Sequence, residues 1–196
     1  MGAIDQAIFR AVNGWPDSVA PIFVFFSEAT KAPYRVVVVP LLLILVVAML
    51  VRGGRSREAA ILALLAVLLS NGLTEALKTA IAMPRPCNDL PNVVLHVGRL
   101  TTFGTASSHA ANMAAVATVF TALLGRWGWP WIGVAVLTAL SRVYVGVHYP
   151  SQVVLGALCG IFCAFLLMQT WAAYLRLRNQ PRTASVDAVQ DVDAAP

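Results

Sequence analysis

Chemistry in this chain concentrates on a few side chains far apart in sequence. Two of the three histidines sit among basic or hydroxyl residues: His109 follows Ser107 and Ser108, and His148 follows Arg142. Upstream stand Lys78 and Arg85. Imidazole changes charge near neutral pH and serves as nucleophile or as general acid and base. Lysine and arginine hold oxyanions. One cation near a helix end ordinarily snorkels to the interface, and one histidine is ordinarily a packed residue. Five such groups at one place, with few carboxylates beside them, call for an anionic ligand, and a phosphate suits them best.

The elements that position these groups belong in a membrane. Of 196 residues, 59% are hydrophobic and 12% charged, with mean hydropathy +0.75. A soluble domain carries roughly 25% charged residues, so this surface cannot face water. The expected fold class is all-α: a polytopic membrane helix bundle of five to six transmembrane helices plus an N-terminal interfacial helix. Residues 3–14 have amphipathic spacing and form the interfacial helix. Residues 17–30 make a weak span, diluted by Ser27, Glu28 and Thr30. Residues 36–51 are aliphatic and β-branched around Pro40, yet in lipid the backbone must bond within itself, which makes them a helix. Helices over 58–82, 106–124, 129–147 and 152–173 follow, with a Pro-rich connection at 83–104. The domain reading is a transmembrane unit over 1–178 and a polar, disordered cytoplasmic tail over 179–196.

The formal charge of +5 does not indicate nucleic acid. Most cations lie between or after the apolar runs, at 52–57, at Arg126 and at Arg176, Arg178 and Arg182, all on one side when the helices are counted in order. The positive-inside rule makes that side cytoplasmic, although Lys31 and Arg35 oppose it. Lys78, Arg85, His109, Arg142 and His148 then meet at the outer face, where ionisable side chains at membrane depth are functional candidates. Thr105-Ala106-Ser107-Ser108-His109 opens a helix. Serine there is an ordinary N-cap, but a helix start also presents free N–H groups to an anion. Cys159 and Cys163 share one helix face as small buried residues, and Cys87 has no evident partner. No metal and no cofactor is expected, because clustered carboxylates are lacking.

Lys78-x6-Arg85-Pro86, Ala106-Ser107-Ser108-His109 and Ser141-Arg142-x5-His148 resemble the three-part signature of the type 2 phosphatidic acid phosphatase family, K-x6-RP, PSGH and SR-x5-H-x3-D. That family includes bacterial undecaprenyl-diphosphate phosphatases and, more distantly, vanadium haloperoxidases. The chain departs from the signature at Ala106 for proline, at Ser108 for glycine, and at Gln152 for aspartate. The resemblance implies a lipid phosphate phosphatase with His148 as nucleophile, His109 as proton donor and then base, and Lys78, Arg85, Arg142, Ser107 and Ser108 holding the phosphate. Gln152 can fix the tautomer of His148 but brings no negative charge. Glu75 is a candidate to supply it, or else simply pairs with Lys78, three residues on. His96 reads as structural, and Arg99 as a weak headgroup contact.

The implied substrate is a phosphorylated membrane lipid, first a polyprenyl (undecaprenyl) diphosphate. Phosphatidylglycerol phosphate, phosphatidic acid and lipid A phosphate are alternatives, as are a catalytically lapsed lipid-binding protein or transporter and a phosphotransferase. The expected setting is the lipid bilayer of the bacterial inner membrane, with the site extracytoplasmic. Whether the chain forms a homo-oligomer stays open.

Overall fold

The computed structural model describes residues 2–179, so the tail expected at 179–196 lies, from residue 180 on, outside the described residues. Among the described residues, eight α-helices run in the order α1 (Ala3–Asn13), α2 (Ala20–Glu28), α3 (Arg35–Arg52), α4 (Gly54–Ile81), α5 (Pro86–Asp89), α6 (Ser108–Leu124), α7 (Trp129–Tyr144) and α8 (Pro150–Arg178). Among the described residues there is no strand.

Among the described residues, four stretches are long and apolar enough to cross a membrane: Arg35–Arg52, Gly54–Asp89, Ser108–Trp127 and Pro150–Arg178. The chain is an integral membrane protein. Length decides within the expected five to six crossings. The nine residues of α2 rise only about 14 Å, under half of a bilayer core about 30 Å thick. The 16 residues of α7 rise about 24 Å. This helix makes the return passage from the Arg126 turn to the His148 loop, because α6 and α8 both begin at the same end: the amide of Ser107 donates to the carbonyl of Gln152 at 2.9 Å. Despite Pro40, α3 is continuous, as a backbone without water requires.

The centre is built from small residues. Ala59, Ala60, Ala63 and Ala66 of α4 pack with Ala115, Val119 and Phe120 of α6 and Ala164 of α8. Leucines and phenylalanines such as Leu64, Leu68, Leu158 and Phe162 point outward. Helices in lipid gain little by hiding leucine from an equally apolar solvent. Close backbone approach through small side chains does the packing instead. The seam between α6 and α8 carries this furthest. A Cβ on Gly156 would lie 2.3 Å from the Ser107 carbonyl oxygen, and one on Gly160 would lie 2.0 Å from that of Ala111.

Arg52, Arg55, Arg57, Arg126, Arg176 and Arg178 gather at one end, where the Trp171 indole N–H donates to Glu58 at 2.5 Å. Lys78, Arg85, Ser107, Ser108, His109, Arg142 and His148 gather at the other. There α1 is tied down by Asn13, which donates to the carbonyls of Val94 and Tyr144, and by Asp5, which accepts from the amide and hydroxyl of Ser151. Gly160→Ala is expected to force the α6–α8 seam apart and cost about 1–3 kcal/mol, read as a lowered melting temperature in detergent. An unchanged melting temperature would show that the seam is not tightly closed.

Candidate functional site

His148 sits in the turn between α7 and α8. Gly146, with φ +85°, makes that turn possible, and a Cβ there would strike the Val94 carbonyl at 2.7 Å. The amides of Val147 and His148 both donate to the Arg142 carbonyl. The imidazole is 2% exposed. Its Nδ1 faces two acceptors, the Gly104 carbonyl at 3.1 Å and Gln152 Oε1 at 3.2 Å. That places the ring proton on Nδ1 and the lone pair on Nε2. Burial, followed by the neighbouring Arg85 guanidinium, holds the ring well below the ordinary imidazole range and therefore uncharged.

Arg85 Nη1 lies 2.7 Å from His148 Nε2. The same guanidinium donates to the carbonyls of Thr102 and Val147 and to the Thr102 hydroxyl. Gly104 lets this happen, since a Cβ there would sit 2.8 Å from Arg85 Cγ and 2.7 Å from Gln152 Oε1. Gln152 is the hub. Its Oε1 also accepts from the Tyr149 amide at 3.2 Å, and its Nε2 donates to the Pro84 carbonyl at 2.8 Å. The glutamine therefore joins the Arg85 loop to the His148 turn. A carboxylate could not make that last bond, because it has no proton to donate.

A second group of bonds links α4 to α6. Lys78 Nζ donates to Ser108 Oγ at 2.7 Å and pairs with Glu75 at 2.6 Å. The Thr74 hydroxyl lies 3.0 Å from Ser108 Oγ. Glu75 thus bonds Lys78 and Ser108, which is the ion pair that its spacing to Lys78 allows. Ser107 caps α6 by accepting from the Ala110 amide at 3.5 Å. His109, on the first turn, lines a cavity of about 610 Å³ together with Ser108, Asn71 and Asn112.

Arg142 is 1% exposed and reaches α2: its Nη1 donates to the Ser27 hydroxyl and carbonyl and lies 3.5 Å from Glu28. Its Nε has no hydrogen-bond partner among the described residues. Two of the three cations are therefore partly neutralised, by Glu75 and by Glu28, so the uncompensated cluster expected from the sequence is not what the fold builds. Ser27, Glu28, Thr74, Thr102 and Gly104 were not read as site residues. Glu28 in an apolar segment was a usable signal, because a carboxylate at that depth needs a cation. His96 stacks on Tyr144 at 4.5 Å between ring centres, and exposed Arg99 reaches Asn88 at 3.4 Å.

The sequence profile of the PAP2 superfamily matches residues 59–176. The chain belongs to that superfamily. The matched stretch of this PAP2 protein carries all three motif groups. Over 127 residues the chain is 36% identical to an undecaprenyl-diphosphatase of Sulfolobus acidocaldarius, covering 63% of this chain and 61% of that one. Over 126 residues it is 28% identical to the bacitracin transport permease protein BcrC of Bacillus licheniformis, covering 64% and 62%. The chain thus spans about three fifths of the length of these curated relatives. Among solved structures it is similar to LpxE of Aquifex aeolicus, with TM-score 0.70, 27% identity and coverage of 86% of this chain and 96% of that one. It also shares its fold with a transmembrane PAP2-type phosphatidylglycerolphosphate phosphatase of Bacillus subtilis, with TM-score 0.66, 21% identity and coverage of 92% and 88%.

Because Gln152 is neutral, Gln152→Asp is expected to raise the titration of His148 by about one pH unit or more, since a nearby carboxylate favours the imidazolium. Histidine NMR against pH reads this directly. An unmoved His148 resonance would show that residue 152 does not face Nδ1.

Proposed function

We propose that this PAP2 protein is a metal-independent lipid phosphate phosphatase that hydrolyses a polyprenyl diphosphate, in the first place undecaprenyl diphosphate, at the extracytoplasmic face of the bacterial inner membrane. The observation that carries the reading is the tautomer of His148: an uncharged, buried imidazole, protonated at Nδ1, offers the Nε2 lone pair beside a guanidinium. The relative named undecaprenyl-diphosphatase supports the choice of lipid.

In this mechanism Arg85 exchanges its contact with Nε2 for one with a phosphoryl oxygen as substrate enters. Nε2 of His148 attacks the terminal phosphorus, an N–P bond forms, and the P–O bond to the lipid monophosphate breaks. His109 gives a proton to the departing oxygen. It then takes a proton from water, whose oxygen attacks phosphorus and releases His148 and inorganic phosphate. Splitting the displacement in two lowers each barrier. Lys78, Arg85, Arg142, Ser107 and Ser108 hold the non-bridging oxygens and offset the charge that grows on them. Gln152 keeps Nδ1 protonated without supplying charge.

Phosphate release from undecaprenyl diphosphate in detergent micelles is the test, set beside phosphatidylglycerol phosphate, phosphatidic acid and a lipid A phosphate. Release should persist in EDTA. His109→Ala should lower it about 10²–10⁴-fold, the usual share of general acid–base catalysis, and His148→Ala should lower it at least as far. A His148→Ala protein as active as the parent removes the phosphohistidine route. Binding of these lipids without phosphate release in the parent, with activity appearing in Gln152→Asp, would favour a lapsed binding or transport protein.

A further inference from the structure

The bonds between α4 and α6 do not stop at the phosphate-holding residues. Below Ser108 and Thr74, the Ser70 hydroxyl donates to Asn112 Oδ1 at 3.1 Å. The Ser70 hydroxyl is shared with the Val67 carbonyl, also at 3.1 Å, and Asn112 lines the cavity beside it. Asn71, one helical turn before Glu75, lines the same cavity. Thr138 of α7 contributes a hydroxyl from across the space. Beyond these three the walls turn apolar: Val67, Met113, Val116, Val134 and Trp131. Amide groups at membrane depth are candidates to meet a polar part of a ligand.

The order along the cavity matters. Ser108 and His109 stand at its head, Asn71 and Asn112 come next, and the hydrocarbon-like walls come last. Asn112 lies four residues along α6 from Ser108, about 6 Å further in. A lipid lying in this cavity from Ser108 and His109 to the apolar walls meets both asparagines, which line the same space. We infer that Asn71 and Asn112 form a specificity ledge for the inner, tail-linked phosphate of a diphosphate lipid, donating N–H bonds to its two non-bridging oxygens. Neutral donors fit this role, since the inner phosphate of an intact diphosphate carries a single charge shared by two oxygens. This inference rests on the diphosphate reading above and assigns a chemical duty to two residues outside the catalytic motifs.

The experiment compares undecaprenyl diphosphate with undecaprenyl phosphate, which share a tail and differ in the phosphate that meets the ledge. Asn112→Leu, and separately Asn71→Leu on the facing helix, should lower kcat/KM for the diphosphate by about tenfold or more, the usual effect of losing a hydrogen bond to a charged group. The loss for the monophosphate should be at least several-fold smaller. Asn112→Asp, which keeps the Ser70 contact and replaces the donor with a negative charge, should hurt the diphosphate more than Asn112→Leu does. The same pairs are measured as equilibrium binding in a His148→Ala background, where turnover plays no part, so discrimination is read even if the parent releases no phosphate. Equal losses for the two lipids in binding and in turnover, or no loss for either, overturn the ledge. Absence of phosphate release with discrimination intact overturns the hydrolase reading and keeps the ledge. Variants whose melting temperature in detergent collapses are replaced by Asn112→Ser and Asn71→Ser, for which a weaker form of the same discrimination is expected.

Discussion

Seating a guanidinium inside the end of a membrane bundle is the constraint from which most of this architecture follows. A buried arginine in low dielectric is costly unless acceptors meet its N–H groups. Arg85 finds them on two separate segments: the carbonyl and hydroxyl of Thr102, and then the Val147 carbonyl with the ring nitrogen of His148. The irregular connection between α5 and α6 and the turn between α7 and α8 are therefore forced together. The demand explains why a chain composed mainly of helix keeps a long, Pro-rich excursion at this end. It also explains Gly104 and Gly146, where any side chain would hold the acceptors too far away.

The electrostatics are more balanced than a list of cations implies. Glu75 and Glu28 each sit on one of them. Glu75 is 66% exposed at its side chain, so its pairing with Lys78 is screened by solvent and readily exchanged. Glu28 holds Arg142 from a short helix that does not cross the bilayer. These counter-charges spare the site bare positive charge. Arg85 differs in kind: its partner is the ring nitrogen of His148, not a carboxylate.

Much of this was legible in the sequence. The membrane class, the helices from Arg35 onward and the gathering of Lys78, Arg85, Ser107, Ser108, His109, Arg142 and His148 at one end all follow from apolar run lengths and the positions of charge. Two things were not legible. The number of crossings depends on α2 stopping after nine residues, and nothing in a stretch with Ser27 and Glu28 says whether the polar side chains break the helix or bond a neighbour. The duties of Gln152 and Glu75 depend on partners reached across the fold. Spacing along α4 allowed Glu75 either Lys78 or a role near His148, and only the packed geometry decides for Lys78. The Pro84 carbonyl, which makes glutamine rather than aspartate useful at 152, leaves no trace in a pattern of side chains.

The glycine seam between α6 and α8 divides the molecule into a frozen half and a plastic half. Where main chain rests on main chain, there are no side chains to exchange, so drift along that seam can only pry the helices apart. The opposite wall is built from the bulky residues Phe25, Phe26, Leu42 and Trp131, each replaceable by a larger or smaller neighbour without disturbing the histidines. A lineage built on this plan would diversify its lipid preference from α2, α3 and α7, while α6 and α8 keep the reacting groups in register.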